Sequence, residues 1–159
     1  RKELYEQYAP AMMSVCMRYV GDRETARDLL QDGFVKIFTK IRSYSGSGAF
    51  GGWVRRVFVT TALEYLRSSE NTRLSVGLDG YDDSLEDINY SVLDRLSADE
   101  LPSGYRTVFN LYAIEGYTHS EIAEMLHVQE ATSRSQFIRA RNALQKSVQS
   151  LIRHENAGR

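Results

Sequence analysis

Apolar residues recur every three or four positions along most of the first 67 residues, which is the spacing of a buried face on an α-helix. Three such stripes occupy residues 4–20, 23–42 and 53–67. A loop with four glycines, residues 43–52, separates the second stripe from the third. The pattern therefore predicts three amphipathic helices, and Pro10 is expected to kink or delay the first of them.

The second predicted helix has two different faces. Its apolar side is formed by Ala26, Leu30, Phe34, Ile37 and Ile41. Its other side is formed by Asp28, Gln31, Asp32, Val35 and Thr39, with Leu29 at the margin. Gly33 in mid-helix costs roughly 0.5–1 kcal/mol relative to alanine, a cost that a closely packed partner would offset.

Residues 68–100 break the helical rhythm and differ in charge from the rest of the chain. They contain 2 Lys or Arg and 9 Asp or Glu, whereas residues 1–67 contain 11 and 7. Large aliphatic side chains are sparse there, so this stretch cannot bury enough apolar surface to offset the entropy lost on ordering. It is predicted to be a flexible linker, with a short helix around residues 88–96.

The helical pattern resumes after the linker. Residues 107–116 predict a helix with Val108, Phe109 and Tyr112 packed inward. Gly116 is expected to end this helix, because glycine adopts the left-handed conformation common at helix C-termini.

Two short helices joined by a tight turn are predicted next, over residues 118–144. Thr118 is a good N-cap, and Glu121 three positions later completes a capping box. His127 and Val128 leave room only for a turn. One face of the second helix is apolar enough to pack on the first and consists of Ser133, Phe137, Ala140 and Leu144.

The opposite face of that second helix consists of Ala131, Arg134, Ser135, Ile138, Arg139 and Asn142. It carries two arginines and no acid after Glu130. A helix, a short turn and a second helix with a basic outer face form the pattern of proteins that read the major groove of DNA. An ordinary antiparallel helix pair would also fit this stretch taken alone.

The third predicted helix interleaves aromatic residues with arginines. Trp53, Phe58 and Tyr65 lie among Arg55, Arg56 and Arg67. Aromatic rings stack on bases and arginines bind phosphates, so the combination is typical of single-stranded nucleic-acid binding. Burial in the core is the alternative explanation for each aromatic residue.

The predicted organisation is all-α, with two small helical domains joined by an acidic flexible linker. The domains are residues 1–67 and 101–150, the linker is residues 68–100, and residues 151–159 form a tail. The net charge of −1 at pH 7 argues against nucleic-acid binding. It hides two mildly basic ends that flank the acidic linker, and such local fields steer association.

Composition narrows the classes of function. No apolar run reaches the roughly 18 residues needed to span a bilayer, so no membrane insertion is expected. The single cysteine, Cys16, excludes an internal disulfide and suits a reducing cytoplasm. His119, His127 and His154 lack metal-ligand spacing, and no carboxylate pair accompanies a nucleophile candidate. We therefore expect no metal, no cofactor and no enzymatic activity.

Two segments of the chain resemble a known family. The C-terminal part, LPSGYRTVFNLYAIEGYTHSEIAEMLHVQEATSRSQFIRARNAL, resembles the promoter-binding region four of extracytoplasmic-function (ECF) sigma factors. Their region two is similar to DRETARDLLQDGFVKIFTKI followed by GGWVRRVFVTTALEYLR. The segments occur in the expected order with the expected linker. The resemblance implies a sigma factor that directs core RNA polymerase to a specific promoter set, with an anti-sigma factor as a further partner.

The family's functional positions can be carried over to this chain. Core polymerase binding is implied for Asp28, Leu29, Gln31, Asp32 and Val35. Recognition of the single-stranded −10 element is implied for Phe50, Trp53, Arg55, Arg56 and Thr60. Recognition of the duplex −35 element is implied for Thr132, Arg134, Ser135, Ile138 and Arg139.

The chain departs from the family pattern at four positions. His127 stands where many relatives have glycine, and histidine tolerates a left-handed turn better than most residues. Thr60 and Glu64 replace common Asn and Asp near the −10 site, and Gln136 replaces a frequent arginine that could contact phosphate. A self-sufficient helix-turn-helix regulator with a helical sensor domain is the alternative function.

Overall fold

The computed structural model describes residues 1–68, 101 and 103–158. Within these ranges the chain is helical and contains no strand, which confirms the all-α prediction. The chain divides into two compact units with a boundary between Thr72 and Arg73. The predicted linker, apart from Ser68, and its predicted short helix lie outside the described residues.

The first unit consists of three helices, each packed against the other two. They are α1 (Lys2–Val20), α2 (Arg23–Lys40) and α3 (Phe50–Ser68), with a 3-10 turn at Ile41–Ser43. Several boundaries differ from the prediction. Helix α1 begins at Lys2 despite Pro10, and α2 ends at Lys40. Helix α3 extends from Phe50 to Ser68, so its first turn includes Gly51 and Gly52.

Capping residues separate α1 from α2. Gly21 has the left-handed backbone (φ 77°) that ends α1, and its N–H donates to the carbonyl of Met17. Asp22 then caps α2, since its carboxylate accepts from the backbone N–H of Thr25 at 2.9 Å. Hydrogen bonding with the side chain of Thr25, and next with its backbone N–H, lowers the pKa of the Asp22 carboxyl.

The core of the first unit contains the predicted apolar face of α2 except Ile41, which is 39% exposed. Gly33 is buried against α3. A Cβ atom at Gly33 would lie 2.1 Å from Cε1 of Phe58, so this glycine permits the close helix contact. Cys16 is buried, and burial raises its pKa to about 11.

The second unit contains α4 (Ser103–Phe109), a π-helical turn (Asn110–Ile114), α5 (His119–Leu126) and α6 (Glu130–Ala157). The predicted tail is therefore largely helical. The reason is that no glycine or proline follows the recognition segment until Gly158.

The turn between α5 and α6 agrees with the prediction. The Thr118 hydroxyl accepts from the N–H of Glu121 at 3.1 Å, which caps α5. His127 ends α5 with φ 54° and ψ 46°. It is the only non-glycine residue with positive φ in the described part of the chain.

The core of the second unit corrects one prediction. Val108 and Phe109 are buried as expected, but Tyr112 is 38% exposed and Leu111 is buried instead. The wider π-helical turn, marked by the bond from Glu115 N–H to the Asn110 carbonyl, shifts the phase of the helix and explains the change.

Candidate nucleic-acid and protein interfaces

The outer face of α6 is accessible. Arg134 and Asn142 are exposed, and Ser135, Ile138 and Arg139 are partly exposed. The predicted apolar stripe on the opposite side is buried, as Ser133, Phe137, Ala140 and Leu144 all pack inward. The second helix of the pair therefore offers a free surface of arginine, serine and one branched apolar side chain.

Arg134 forms an ion pair with Glu130 one turn earlier in α6. The two side chains are 49% and 44% exposed, and exposed pairs of this kind contribute only about 0.3–0.5 kcal/mol. Arg134 can therefore exchange Glu130 for a base edge or a phosphate at little cost. The hydroxyl of Ser135 donates to the carbonyl of Ala131 at 2.9 Å and keeps its acceptor capacity.

Arg139 has a partner that the sequence pattern did not indicate. Its Nη1 donates to the hydroxyl of Tyr105 on α4 at 3.2 Å. A guanidinium has five N–H donors, so this bond holds the side chain in place and leaves donors for a further contact.

Two positions of α6 that the sequence analysis related to DNA are buried. Thr132 is 6% exposed and Gln136 is 1% exposed. At about 100° per residue, Gln136 lies on the side of Ser133, whereas Thr132 lies at the edge between the two faces, about 20° from Arg139. The side chain of Thr132 is therefore not part of the accessible face in this structure, and the replacement at Gln136 concerns packing rather than a lost phosphate contact.

The polar face of α2 is exposed. Asp28, Gln31 and Asp32 are accessible, and Val35 among them is 64% exposed. Leu29, which was placed at the margin of this face, is only 3% exposed and belongs to the core. Leu29 is therefore not part of the exposed face in this structure, because its side chain packs inside the three-helix unit.

A cluster of aromatic rings shapes the loop between α2 and α3. Tyr44 lies 5.3 Å from Phe50 and 5.6 Å from Trp53, measured between ring centroids. Phe50 and Trp53 are 5.7 Å apart. The Tyr44 hydroxyl also donates to the carbonyl of Gly48 at 2.6 Å, which closes the loop on itself.

Two open clefts share Trp53 and Arg56 in their walls. One, of about 220 Å³, lies between α2 and α3 and is lined by Lys36, Lys40, Ser43, Trp53, Arg56, Val57, Thr60, Thr61 and Glu64. The other, of about 370 Å³, lies along the loop and is lined by Ser43, Tyr44, Ser45, Ser47, Gly48, Ala49, Gly52, Trp53 and Arg56. The predicted residue Arg55 is half-buried.

The cleft between α2 and α3 is lined by three cationic side chains and one carboxylate. Lys36 Nζ lies 2.5 Å from Glu64 Oε2 and 3.2 Å from Thr61 Oγ1. Lys40 and Arg56 complete the positive wall. The sequence pattern indicated Arg56 and Thr60, but it did not indicate the lysines, which α2 brings to the cleft from a distant part of the chain.

None of the helices among the described residues combines the length and the apolarity that a membrane span requires. In the same ranges, no group of three or more His, Cys, Asp or Glu side chains is placed to hold a metal ion.

These surfaces define a class of protein. A helix-turn-helix with an accessible arginine face, in a chain whose other helical unit carries a cationic cleft beside clustered aromatic rings, is typical of a helical DNA-binding protein. Family models give the particular assignment: Sigma-70 region 2 matches residues 4–72, and Sigma-70, region 4 matches residues 96–144. The chain belongs to the sigma-70 family, in its ECF group, and directs core RNA polymerase to a specific set of promoters.

Curated relatives agree with this assignment. The ECF RNA polymerase sigma-E factor of Haemophilus influenzae is 28% identical over 94% of this chain and 87% of its own length. The RNA polymerase sigma-H factor of Pseudomonas aeruginosa is 27% identical over 92% of this chain and 85% of its own. The ECF sigma factor SigE of Mycolicibacterium smegmatis is 31% identical over 89% of this chain and 59% of its own.

A solved structure shares the fold. The sigma factor RpoE of Bartonella quintana, crystallised in complex with the anti-sigma factor NepR, aligns with a TM-score of 0.51 and 21% identity. The alignment covers 93% of this chain and 96% of that one. A self-sufficient regulator with a sensor domain is not favoured, because both units match sigma-70 regions.

Proposed function

We propose that this sigma factor divides promoter recognition and polymerase binding among three surfaces. The outer face of α6 reads the duplex −35 element, the clefts beside Trp53 hold the single-stranded −10 element, and the exposed face of α2 docks on core RNA polymerase. The observation that carries the proposal is the placement of Trp53 and Arg56 in the walls of both clefts, next to two further aromatic rings.

At the −35 element, the proposed contacts follow from the chemistry of the exposed face of α6. Arg134 lies near the start of the helix, where base contacts concentrate in helix-turn-helix proteins, and it can bond a guanine edge. Ser135 can accept or donate, and Ile138 can touch a thymine methyl. Arg139, held by Tyr105, is placed for a base edge or a phosphate.

At the −10 element, an unpaired base would enter one of the two clefts and stack on Trp53 or Tyr44. Extruding a base from a duplex costs a few kcal/mol, and stacking on an aromatic ring recovers about 1–3 kcal/mol per base. Lys40 and Arg56 would bind the phosphates on either side, and the exposed hydroxyl of Thr60 lies in the same cleft.

On α2, the proposed docking surface combines two carboxylates, an amide and an exposed valine. Asp28 and Asp32 provide charge for a basic partner surface, and Val35 provides apolar contact. The protein is proposed to act without catalysis of its own, in the cytoplasm with its polymerase. Because RpoE of Bartonella quintana was crystallised with NepR, we also propose an anti-sigma factor as a partner.

Run-off transcription with core polymerase tests the proposal. Promoter fragments with single changes in the −10 or −35 element are transcribed by wild-type protein and by Trp53→Ala and Arg56→Ala variants. Both variants should lose output on every promoter that must be melted, and they should recover only part of it on a template whose −10 region is already unpaired, because the cost of melting is then absent but the lost contacts to the strand are not restored. Undiminished output from both variants on the paired promoters would contradict a role in holding the open strand.

A further inference from the structure

His119, the first residue of α5, lies where three elements of the second unit meet. Its ring stacks on Tyr112 of the π-helical turn, with centroids 4.1 Å apart and planes inclined by 9°. Its Nδ1 atom lies 2.9 Å from Oγ of Ser133 on α6. Phe137 of α6 meets the same ring edge-on at 5.8 Å. One imidazole therefore joins α5, the π-helical turn and α6.

The bond to Ser133 differs in kind from the other contacts. Ser133 is 0% exposed and lies on the buried face of α6, beside Phe137, Ala140 and Leu144. Water does not reach its hydroxyl, so His119 is the partner that satisfies it. A hydrogen bond depends on direction, whereas apolar contacts tolerate small rotations. The bond to His119 therefore restricts the rotation of α6 about its axis more than the surrounding apolar packing does.

Ser133 directly precedes two side chains of the proposed −35 surface, Arg134 and Ser135. Successive residues of a helix differ by about 100° around its axis, so any rotation of α6 that breaks the bond to His119 also changes where both side chains point. Arg134 and His119 also interact electrostatically, since the guanidinium, after burial, is a cause of the lowered pKa of His119.

We propose that His119 is a positioning residue for recognition of the −35 element. Through its bond to Ser133 and its stack on Tyr112, it fixes the rotation of α6 and so aims Arg134 and Ser135. The inference rests on the proposed role of the outer face of α6. It assigns a function to side chains that would not themselves touch DNA.

Three substitutions separate the bond from the stack. His119→Phe keeps a ring against Tyr112 but removes Nδ1, and Ser133→Ala removes the same bond from the other side. His119→Asn loses the ring but keeps a polar atom near the position of Nδ1. Each is made in the full chain and tested in run-off transcription with core polymerase, on promoters that differ only at single −35 positions. Thermal unfolding of each variant is measured alongside.

Loss of the bond should reduce discrimination between −35 sequences. We expect His119→Phe and Ser133→Ala each to lower the ratio of output on the best to the poorer −35 sequences about tenfold, the size of one good base contact. The double variant should lose no more than either single one, because both remove one bond. His119→Asn should restore most of the ratio, even if its melting temperature is the lowest.

Several outcomes would overturn the inference. If the −35 ratios stay at wild-type values while output falls in step with melting temperature, His119 only supports the fold. If the losses in the double variant add, the two side chains act separately. Arg134→Ala serves as the control for the proposed function. Unchanged −35 ratios in that variant would refute the −35 surface itself, whereas changed ratios there with unchanged ratios in the His119 variants would refute only the positioning role.

Discussion

Gly33 shows at the residue scale how an unfavourable local choice can be required by packing. Alanine favours a helix over glycine by about 1 kcal/mol, yet α2 carries glycine in its middle. The reason is Phe58, whose ring edge occupies the space that a Cβ atom would need. The sequence indicated that a close partner was needed but could not identify it, because Phe58 lies 25 residues away on another helix.

We expect Gly33→Ala to destabilise the first unit despite its gain in helix propensity. A Cβ atom 2.1 Å from Phe58 Cε1 forces the ring or the helices to move, and overpacking of this kind costs about 1–3 kcal/mol. Thermal unfolding followed by Trp53 fluorescence measures the change. Adding Phe58→Leu should recover part of the loss, and a Gly33→Ala protein as stable as wild type would refute the tight contact.

A second prediction at the residue scale concerns Glu64. Its carboxylate neutralises Lys36 inside the proposed −10 cleft. Glu64→Gln should release Lys36 to a phosphate and steepen the salt dependence of single-strand binding by about 0.7 in log–log slope. Binding of a −10 non-template oligonucleotide to the holoenzyme, measured from 50 to 200 mM salt, tests this, with the exposed Glu3→Gln as control. An unchanged slope would exclude Lys36 from the strand path.

At the scale of elements, local chemistry determined what could be predicted. His127 ends α5 through contacts within a few residues, and the structure confirms the predicted turn. Asp22 caps α2 through an equally local contact with Thr25. The π-helical turn and the bond between Arg139 and Tyr105 depend on tertiary packing, so the pattern of the sequence did not reveal them. Thr132 was misplaced because it lies one position before Ser133, at the edge between two faces of α6.

The contacts between α5 and α6 should weaken in mild acid. Burial is the main cause that lowers the pKa of His119, Arg134 lowers it further, and Glu130 opposes both. The unfolded chain therefore binds a proton, near pH 6.5, more readily than the folded one, so this contribution to stability is present above about pH 6.5 and is lost as the pH falls through the lowered pKa.

Hydrogen exchange of the α5 and α6 amides between pH 7.5 and 5.5, corrected for the intrinsic rate, measures this loss. His119→Phe should remove the pH dependence, and substitution of the exposed His154 should leave it unchanged. An equal dependence in wild type and His119→Phe would assign the effect to another group.

At the scale of the whole molecule, a substitution on one proposed surface should impair the function of that surface and leave the functions of the others unchanged. Asp28 and Gln31 are exposed and lie away from the buried face of α2, so replacing both with alanine creates no cavity. We expect the double variant to lose binding to core polymerase while its unfolding free energy changes by no more than about 0.5 kcal/mol. Pull-down on immobilised core polymerase tests this, with Lys2→Ala and Glu6→Ala on α1 as the control. Normal binding, or early unfolding, would show that the face is wrongly assigned.

The central claim is that α6 reads the −35 element and the clefts beside Trp53 hold the −10 element. The most direct measurement crosses Arg134→Ala and Trp53→Ala with promoters altered at −35, at −10 or at both, in run-off transcription with core polymerase. The Arg134→Ala variant should lose about tenfold in transcript output on the intact promoter, and it should lose little more when the −35 element is already altered. Its response to −10 changes should stay that of wild type. Trp53→Ala should lose output on the intact promoter and little more when the −10 element is already altered, while its response to −35 changes stays that of wild type. If both variants respond to both elements as wild type does, or if Arg134→Ala alters the −10 response instead, the assignment of the two surfaces is contradicted.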